Sequence, residues 1–221
     1  MAERTAVLMT YFRNNILHLL ALPASIACCF IQGRQLPHVE LQRLMRLIYP
    51  FMQKELNLKW RLDDIDAATT AAIRSLVDLD ILTYGETEAM LVRPPSGSEK
   101  AFQLLMLGQS MVPMIQRFYL AIAILVSHGS ATLSRSRLET LCQQSAERLS
   151  MIYGLHSPDF FNKTLFHDFI RTLQDQGVLR RNADGVLEYD DAIKSIGADA
   201  RLVLGEEIRH SILSLTVAEQ S

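Results

Sequence analysis

The feature that most constrains the fold is a pattern that occurs twice. Leu76-Val77-Asp78-Leu79-Asp80-Ile81-Leu82 is echoed 97 residues later (76 to 173) by Leu173-Gln174-Asp175-Gln176-Gly177-Val178-Leu179. Each copy ends a helical pattern and enters a polar turn, Tyr84-Gly85-Glu86-Thr87 in one and Asn182-Ala183-Asp184-Gly185 in the other. Each then returns to a short apolar run, Ala89-Met90-Leu91-Val92 or Val186-Leu187-Glu188-Tyr189. Helix, strand, tight turn and strand is the layout of a winged-helix hairpin, and Asp184-Gly185 is the stronger of the two turn signals. The chain is therefore expected to be mainly α, with helical subdomains and two short winged-helix-like β-hairpins.

Between the hairpins, apolar residues recur at helical spacing. A first helix is expected from about Thr5 to Gln32, with Pro23 inside it and Gly33 ending it. A second begins after Leu36-Pro37 and carries Val39, Leu41, Leu44, Met45, Leu47 and Ile48, with Pro50 as a possible interruption and a continuation to about Trp60. A third starts near Asp63 or Asp64, both suitable caps, and reaches Val77. Arg93-Pro94-Pro95-Ser96-Gly97-Ser98-Glu99-Lys100 is dense in residues that resist regular structure and marks a boundary between subdomains 1–95 and 101–221. Beyond it, Phe102 to Leu125 is a helical block. Ser134 or Ser136 caps a helix through Leu149, with Glu139 completing a capping box, and Ser157-Pro158-Asp159 opens another. A final helix is expected from Tyr189 or Asp190 to about Leu215, weakened at Gly197 and Gly205.

Within the first helix sits an unusual segment, Thr10-Tyr11-Phe12-Arg13-Asn14-Asn15-Ile16-Leu17-His18-Leu19-Leu20-Ala21-Leu22-Pro23. At 100° per residue, Thr10, Asn14, His18 and Ser25 share one third of the circumference, with Tyr11 and Asn15 beside them, while Leu8, Phe12, Ile16, Leu19 and Ile26 cover much of the rest. Buried amides and imidazoles cost free energy unless paired, so this face calls for a polar partner.

The same segment resembles the start of the C-terminal region of bacterial membrane-bound glycerol-3-phosphate 1-O-acyltransferases. Three more stretches resemble that region in the same order: Leu47-Ile48-Tyr49-Pro50-Phe51-Met52-Gln53-Lys54-Glu55-Leu56, Ala146-Glu147-Arg148-Leu149-Ser150 and Asp159-Phe160-Phe161-Asn162-Lys163. The resemblance spans nearly the whole chain but only about the last quarter of a typical family member. It implies a part in transferring a fatty acyl group from acyl-CoA or acyl carrier protein to glycerol 3-phosphate, at the cytoplasmic face of the inner membrane. It also implies a catalytic domain as partner, met through Tyr11, Arg13, Asn14, Asn15 and His18.

The family's chemistry relies on a His-x4-Asp pair, in which the carboxylate orients an imidazole that deprotonates the glycerol hydroxyl. Five positions after each histidine stand Pro23, Arg43, Leu133, Phe161, Thr172 and Leu215, and none is aspartate. The Phe-Pro-Glu-Gly element associated with phosphate binding in these enzymes has no counterpart, since no Glu-Gly dipeptide occurs. No catalytic residue is therefore expected in this chain, which reads as a noncatalytic portion that is inactive alone. Gly108-Gln109-Ser110-Met111-Val112 imitates half of a nucleophile elbow but lacks its second glycine and a preceding strand. His167 and Asp168 are neighbours that point about 100° apart on a helix, so they are expected as a surface pair.

Charge distribution adds one further expectation. The formal net charge is −2, yet residues 1–61 hold eight basic side chains against three acids, and residues 62–100 hold eight acids against three bases. A basic first quarter suits an anionic membrane surface. The three cysteines, two of them adjacent at Cys28-Cys29, make neither a disulfide framework nor a zinc spacing, so small core thiols, no metal and no cofactor are expected. Ile16 to Ile31 is shorter than the roughly 20 apolar residues that cross a bilayer. A winged-helix nucleic-acid or protein-interaction module is the alternative function. Glu86 and Glu88 on the first wing and Asp78 and Asp80 before it would repel phosphates, so no nucleic acid is expected as partner.

Overall fold

The computed structural model describes the backbone of residues 3–153 and 158–218, with side chains described for 16–152, 160–200 and 202–214. The chain forms two compact units, Asn14–Pro113 and Met1–Arg13 together with Met114–Ser221.

In the first unit, α1 (Glu3–Cys28) is followed by the short strand β1 (Gln35–Pro37), α2 (His38–Leu56), α3 (Ile65–Asp78), β2 (Thr83–Tyr84), β3 (Met90–Val92) and α4 (Glu99–Gln109). Helix α2 runs through Pro50 without a break and stops where Asn57 turns left-handed at φ 52°, earlier than the expected end near Trp60. The hydroxyl of Tyr49 and the amide of Gln53 both donate to the carbonyl of Trp60, which pins the segment after the helix. The three strands form an antiparallel sheet in the order β1-β3-β2, with Leu36 opposite Leu91 and Tyr84 also opposite Leu91. The sequence reading contained only the β2–β3 hairpin. Strand β1 is an edge strand that ends in Pro37, and its partner Met90 lies 53 residues away.

Glycine sets the separation of α1 and α4. A Cβ added to Gly108 would lie 2.9 Å from the backbone nitrogen of Cys28 and 3.0 Å from the carbonyl carbon of Ala27. Real Cβ atoms do not approach a backbone that closely, so the two helices can cross at this distance only with glycine there.

The second unit repeats this plan. Its elements are α5 (Val112–His128), α6 (Arg135–Tyr153), α7 (Lys163–Asp175), the strands β4 (Leu179–Arg181) and β5 (Leu187–Tyr189), α8 (Ala192–Asp199) and α9 (Glu206–Ala218). Shifted by 97, α2 superposes on α6 and α3 on α7 along the sequence, and β3 matches β5. The buried positions also correspond, Leu41 with Leu138, Leu44 with Leu141, Met45 with Cys142, and Ile73 with Ile170. The missing third strand is reduced to one bridge, Ser134 opposite Val186, where the first unit pairs Pro37 with Met90. In this unit the rings of Phe118 and Phe169 stack at 4.5 Å.

Both helix ends before the hairpins close in the same way. Asp80 (φ 58°) and Gly177 (φ 73°) each take the left-handed conformation. Asp80 N–H donates to Val77 O and Ile81 N–H to Leu76 O, and Gly177 N–H donates to Gln174 O and Val178 N–H to Leu173 O. This is the Schellman closure, which turns the chain sharply from helix into strand. The second wing turn is built as Asp184-Gly185 suggests, with Gly185 at φ 81°. Elsewhere boundaries differ from the sequence expectation. A 3-10 helix opens at Pro158 and runs to Phe161, and Asn162 then caps α7, its Oδ1 accepting from Thr164 N–H at 2.9 Å; Ser157 lies outside the described residues. The expected final helix is broken into α8 and α9 between Asp199 and Glu206, and Gly205 falls in the break.

Two substitutions test this framework by urea unfolding of the chain. Gly108→Ala should lower stability by about 1–3 kcal/mol through overpacking. Gly177→Ala meets no atom within 4 Å of the new Cβ, so it isolates the left-handed backbone cost and should lower stability by about 1–2 kcal/mol. Wild-type midpoints for both would contradict the helix crossing and the cap.

Candidate functional site

Helix α1 changes environment along its length. From Ala21 to Phe30 nearly every side chain is buried, with Ala21, Ala24, Ile26, Ala27 and Cys28 fully enclosed. Ser25 lies in this enclosed part, and its hydroxyl donates to the Ala21 carbonyl at 2.7 Å, with Met52 Sδ 3.0 Å away. Its helix satisfies it, so Ser25 does not belong to an unpaired polar stripe. One turn earlier the apolar side chains face outward. Leu17 is buried, but Ile16 is 55%, Leu19 67% and Leu20 43% exposed, and His18 is exposed beside them. Ile16 and Leu19, expected to cover the apolar side of the helix, lie on the surface instead.

Of the five residues expected to meet a partner, His18 has a described side chain, and it stands in this exposed patch. The backbone of Tyr11, Arg13, Asn14 and Asn15 lies within α1; their side chains lie outside the described residues.

The described histidines carry no His–Asp pair. His38 Nε2 is 3.5 Å from the Thr70 hydroxyl, and His128 Nδ1 is 3.0 Å from the Ile124 carbonyl. His167 does meet a carboxylate, but it is Glu139 rather than the neighbouring Asp168: Nδ1 is 2.9 Å from Glu139 Oε1. A guanidinium N–H of Arg135 reaches His167 Nε2 at 2.9 Å, and Arg135 Nε donates to the same Glu139 oxygen at 3.0 Å. Arginine only donates, so Nε2 accepts and the ring proton sits on Nδ1, donated to Glu139. Both ring nitrogens are occupied, and no lone pair is left for a substrate hydroxyl. The cluster ties α6 to α7. Glu139 consequently does not form the capping box with Ser136; Ser134 Oγ accepts from Arg137 N–H instead.

Thiol chemistry is equally closed. Cys28, Cys29 and Cys142 are buried and unbridged. Burial pushes the Cys28 thiol well above its usual range and that of Cys29 up to about 12, with the Glu40 charge adding to the latter. Both stay protonated near neutrality and lack the thiolate that attack requires. Among the described residues, no group of three His, Cys, Asp or Glu side chains is arranged to hold a metal ion.

The cations around the second wing are partly paired, while Arg181 on β4 is exposed with no acidic partner among the described residues. Arg180 reaches Asp190 at 3.4 Å, Arg171 reaches Asp175 at 4.0 Å, and Asn182 binds Glu188. The basic surplus of the first quarter is also partly paired, Arg43 with Glu40 and Arg46 with Asp66. Among the described residues no single helix is long and apolar enough to cross a membrane.

Comparison with known proteins places the chain in a family. Residues 1–182 match the family described as glycerol-3-phosphate acyltransferase C-terminal region. The chain is 42% identical over 212 residues to the glycerol-3-phosphate acyltransferase of Pseudomonas fluorescens strain Pf-5, and 41% identical over 211 residues to that of Pseudomonas aeruginosa strain LESB58. The corresponding enzyme of Pseudomonas savastanoi pv. phaseolicola is 40% identical over 211 residues. Each alignment covers 95% of this chain and 25% of the relative, so the chain spans about a quarter of the length of these enzymes. With its match over residues 1–182 and these identities across 95% of its length, the chain belongs to the glycerol-3-phosphate acyltransferase family as a C-terminal portion of such an enzyme.

Proposed function

We propose that this chain is a noncatalytic part of a glycerol-3-phosphate 1-O-acyltransferase that supports the catalytic domain through the α1 surface around His18. The carrying observation is the reversal along α1: a helix enclosed from Ala21 to Phe30 leaves Ile16, Leu19 and Leu20 exposed one turn earlier. Apolar side chains clustered on a surface mark an interaction site. Tyr11, Arg13, Asn14 and Asn15 continue the same helix and supply hydrogen-bonding groups for that contact, and Arg13 carries a planar fork suited to a carboxylate. The internal repeat supports treating 1–95 and 101–221 as successive helix–hairpin subdomains of one scaffold.

In the whole enzyme, the acyl group passes from acyl-CoA or acyl carrier protein to the sn-1 hydroxyl of glycerol 3-phosphate, the first step of membrane phospholipid synthesis. The imidazole and carboxylate for that step come from outside this chain, because the described histidines are either committed to structural partners or not set beside an aspartate. Peripheral attachment at the cytoplasmic face of the inner membrane fits the basic first quarter, where Arg34, Lys59 and Arg61 have no acidic partner among the described residues.

Two assays test the proposal. The 221-residue chain, given acyl-CoA and glycerol 3-phosphate, should show no acyl transfer; turnover would overturn it. In a full-length enzyme carrying this region, Leu19→Asp should lower specific activity about tenfold, since burying a leucine contributes about 1.5–3 kcal/mol. The same substitution should leave the melting temperature of the isolated chain unchanged, and undiminished activity would count against an α1 interface.

A further inference from the structure

The first unit contains a half-open crevice of about 410 Å³ between the end of α1, the Arg93–Ser98 segment and α4. Its volume falls within the roughly 300–1,000 Å³ of small-molecule sites, which combine apolar walls with a few placed polar groups. The accessible apolar walls are Ile31, Ala101, Phe102 and Leu105, with the buried Ala27, Phe30 and Leu104 behind them. One end is polar, with Arg93, Ser96 and Ser98. Arg93 is only partly buried, and its guanidinium donates to the Ser96 hydroxyl at 3.1 Å, with no carboxylate partner among the described residues. Its backbone N–H donates to the carbonyl of Arg34, a second arginine without an acidic partner among the described residues. Glu99, the first acid after it in the sequence, accepts from the Gln103 amide at 3.1 Å.

A smaller crevice in the second unit, about 270 Å³ and lined by Tyr119, Ile122 and Lys194 among others, offers a useful contrast. There the cation is already neutralised, Lys194 Nζ lying 2.8 Å from Asp191. The Arg93 crevice therefore joins an apolar trough to an uncompensated positive charge, and the other does not.

We propose that the Arg93 crevice binds a single-chain anionic amphiphile, with the hydrocarbon chain along Ile31, Ala101, Phe102 and Leu105 and a phosphate or carboxylate head at Arg93 and Ser96. The inference does not depend on the acyltransferase reading, and its test does not use enzyme activity. Neither part of the ligand suffices: a free anion wastes the apolar wall, and an uncharged chain leaves Arg93 without its counter-charge.

Calorimetric titration of the 221-residue chain with decyl phosphate, kept below its micelle concentration, should show saturable binding at one site. Decyl glucoside, with the same chain and an uncharged head, should bind about tenfold more weakly, because it gives up the charge-assisted hydrogen bonds to Arg93. Arg93→Gln should weaken decyl phosphate by a similar factor and leave decyl glucoside unchanged. Ala101→Trp should block both ligands by filling the trough; Leu105→Trp replaces it if the melting temperature falls. Absence of saturable binding, indifference to Arg93→Gln, or displacement of decyl phosphate by an equal concentration of inorganic phosphate would each overturn the proposal, the last by identifying a free-anion site.

Discussion

The enclosure of α1 from Ala21 to Phe30 is the constraint on which the first unit depends. A helix surrounded on all sides must present small groups wherever a neighbour comes close, and this one supplies Ala21, Ala24, Ser25, Ala27 and the adjacent cysteines. Its neighbour α4 answers with Gly108, whose missing Cβ lets the two backbones cross. Buried polar groups are affordable there only when satisfied locally, as Ser25 is by the Ala21 carbonyl. The same enclosure places Cys28 and Cys29 beyond the reach of solvent and keeps their thiols protonated.

From that frame the division between scaffold and chemistry follows. The two units share a plan in which a Schellman closure at Asp80 or Gly177 throws the chain from a helix into a hairpin, and hydrogen bonds of matching length recur 97 residues apart. Repetition of this kind supplies rigid elements. Among the described residues, several side chains of the kind that serve acid–base chemistry are engaged in structure. His167, Glu139 and Arg135 form the cluster closest in appearance to an acid–base site, yet their hydrogen bonds use both ring nitrogens to join α6 and α7. On the surface, the Ile16–Leu20 patch is exposed, and the half-buried cation of Arg93 has no acidic partner among the described residues.

Much of the fold was legible because its signals are local. Helical spacing in α2 and α3, and Asp184-Gly185 at the second wing, are properties of short windows, and the structure realises them. Features fixed by distant partners were not. Strand β1 has three residues and exists through its pairing with Met90–Val92, while Glu139 finds His167 across 28 residues rather than Ser136 across three. A helical wheel places His18 and Ser25 on one side of α1, but it carries no information on depth along the axis. One is exposed and the other enclosed because the packing changes within two turns. The Arg93 crevice was hidden for a related reason: its segment reads as a linker, while in the structure Ser98 caps α4 and Arg93 turns toward Ser96.

The account stands or falls on whether the exposed turn of α1 is covered in the whole enzyme. Hydroxyl-radical footprinting reads this directly, by comparing oxidation of Ile16, His18, Leu19 and Leu20 in the 221-residue chain and in a full-length acyltransferase that carries it. Strong labelling in the chain and protection in the full-length enzyme is the predicted result. Equal labelling in both would mean that this surface meets no partner within the enzyme, and would contradict the account.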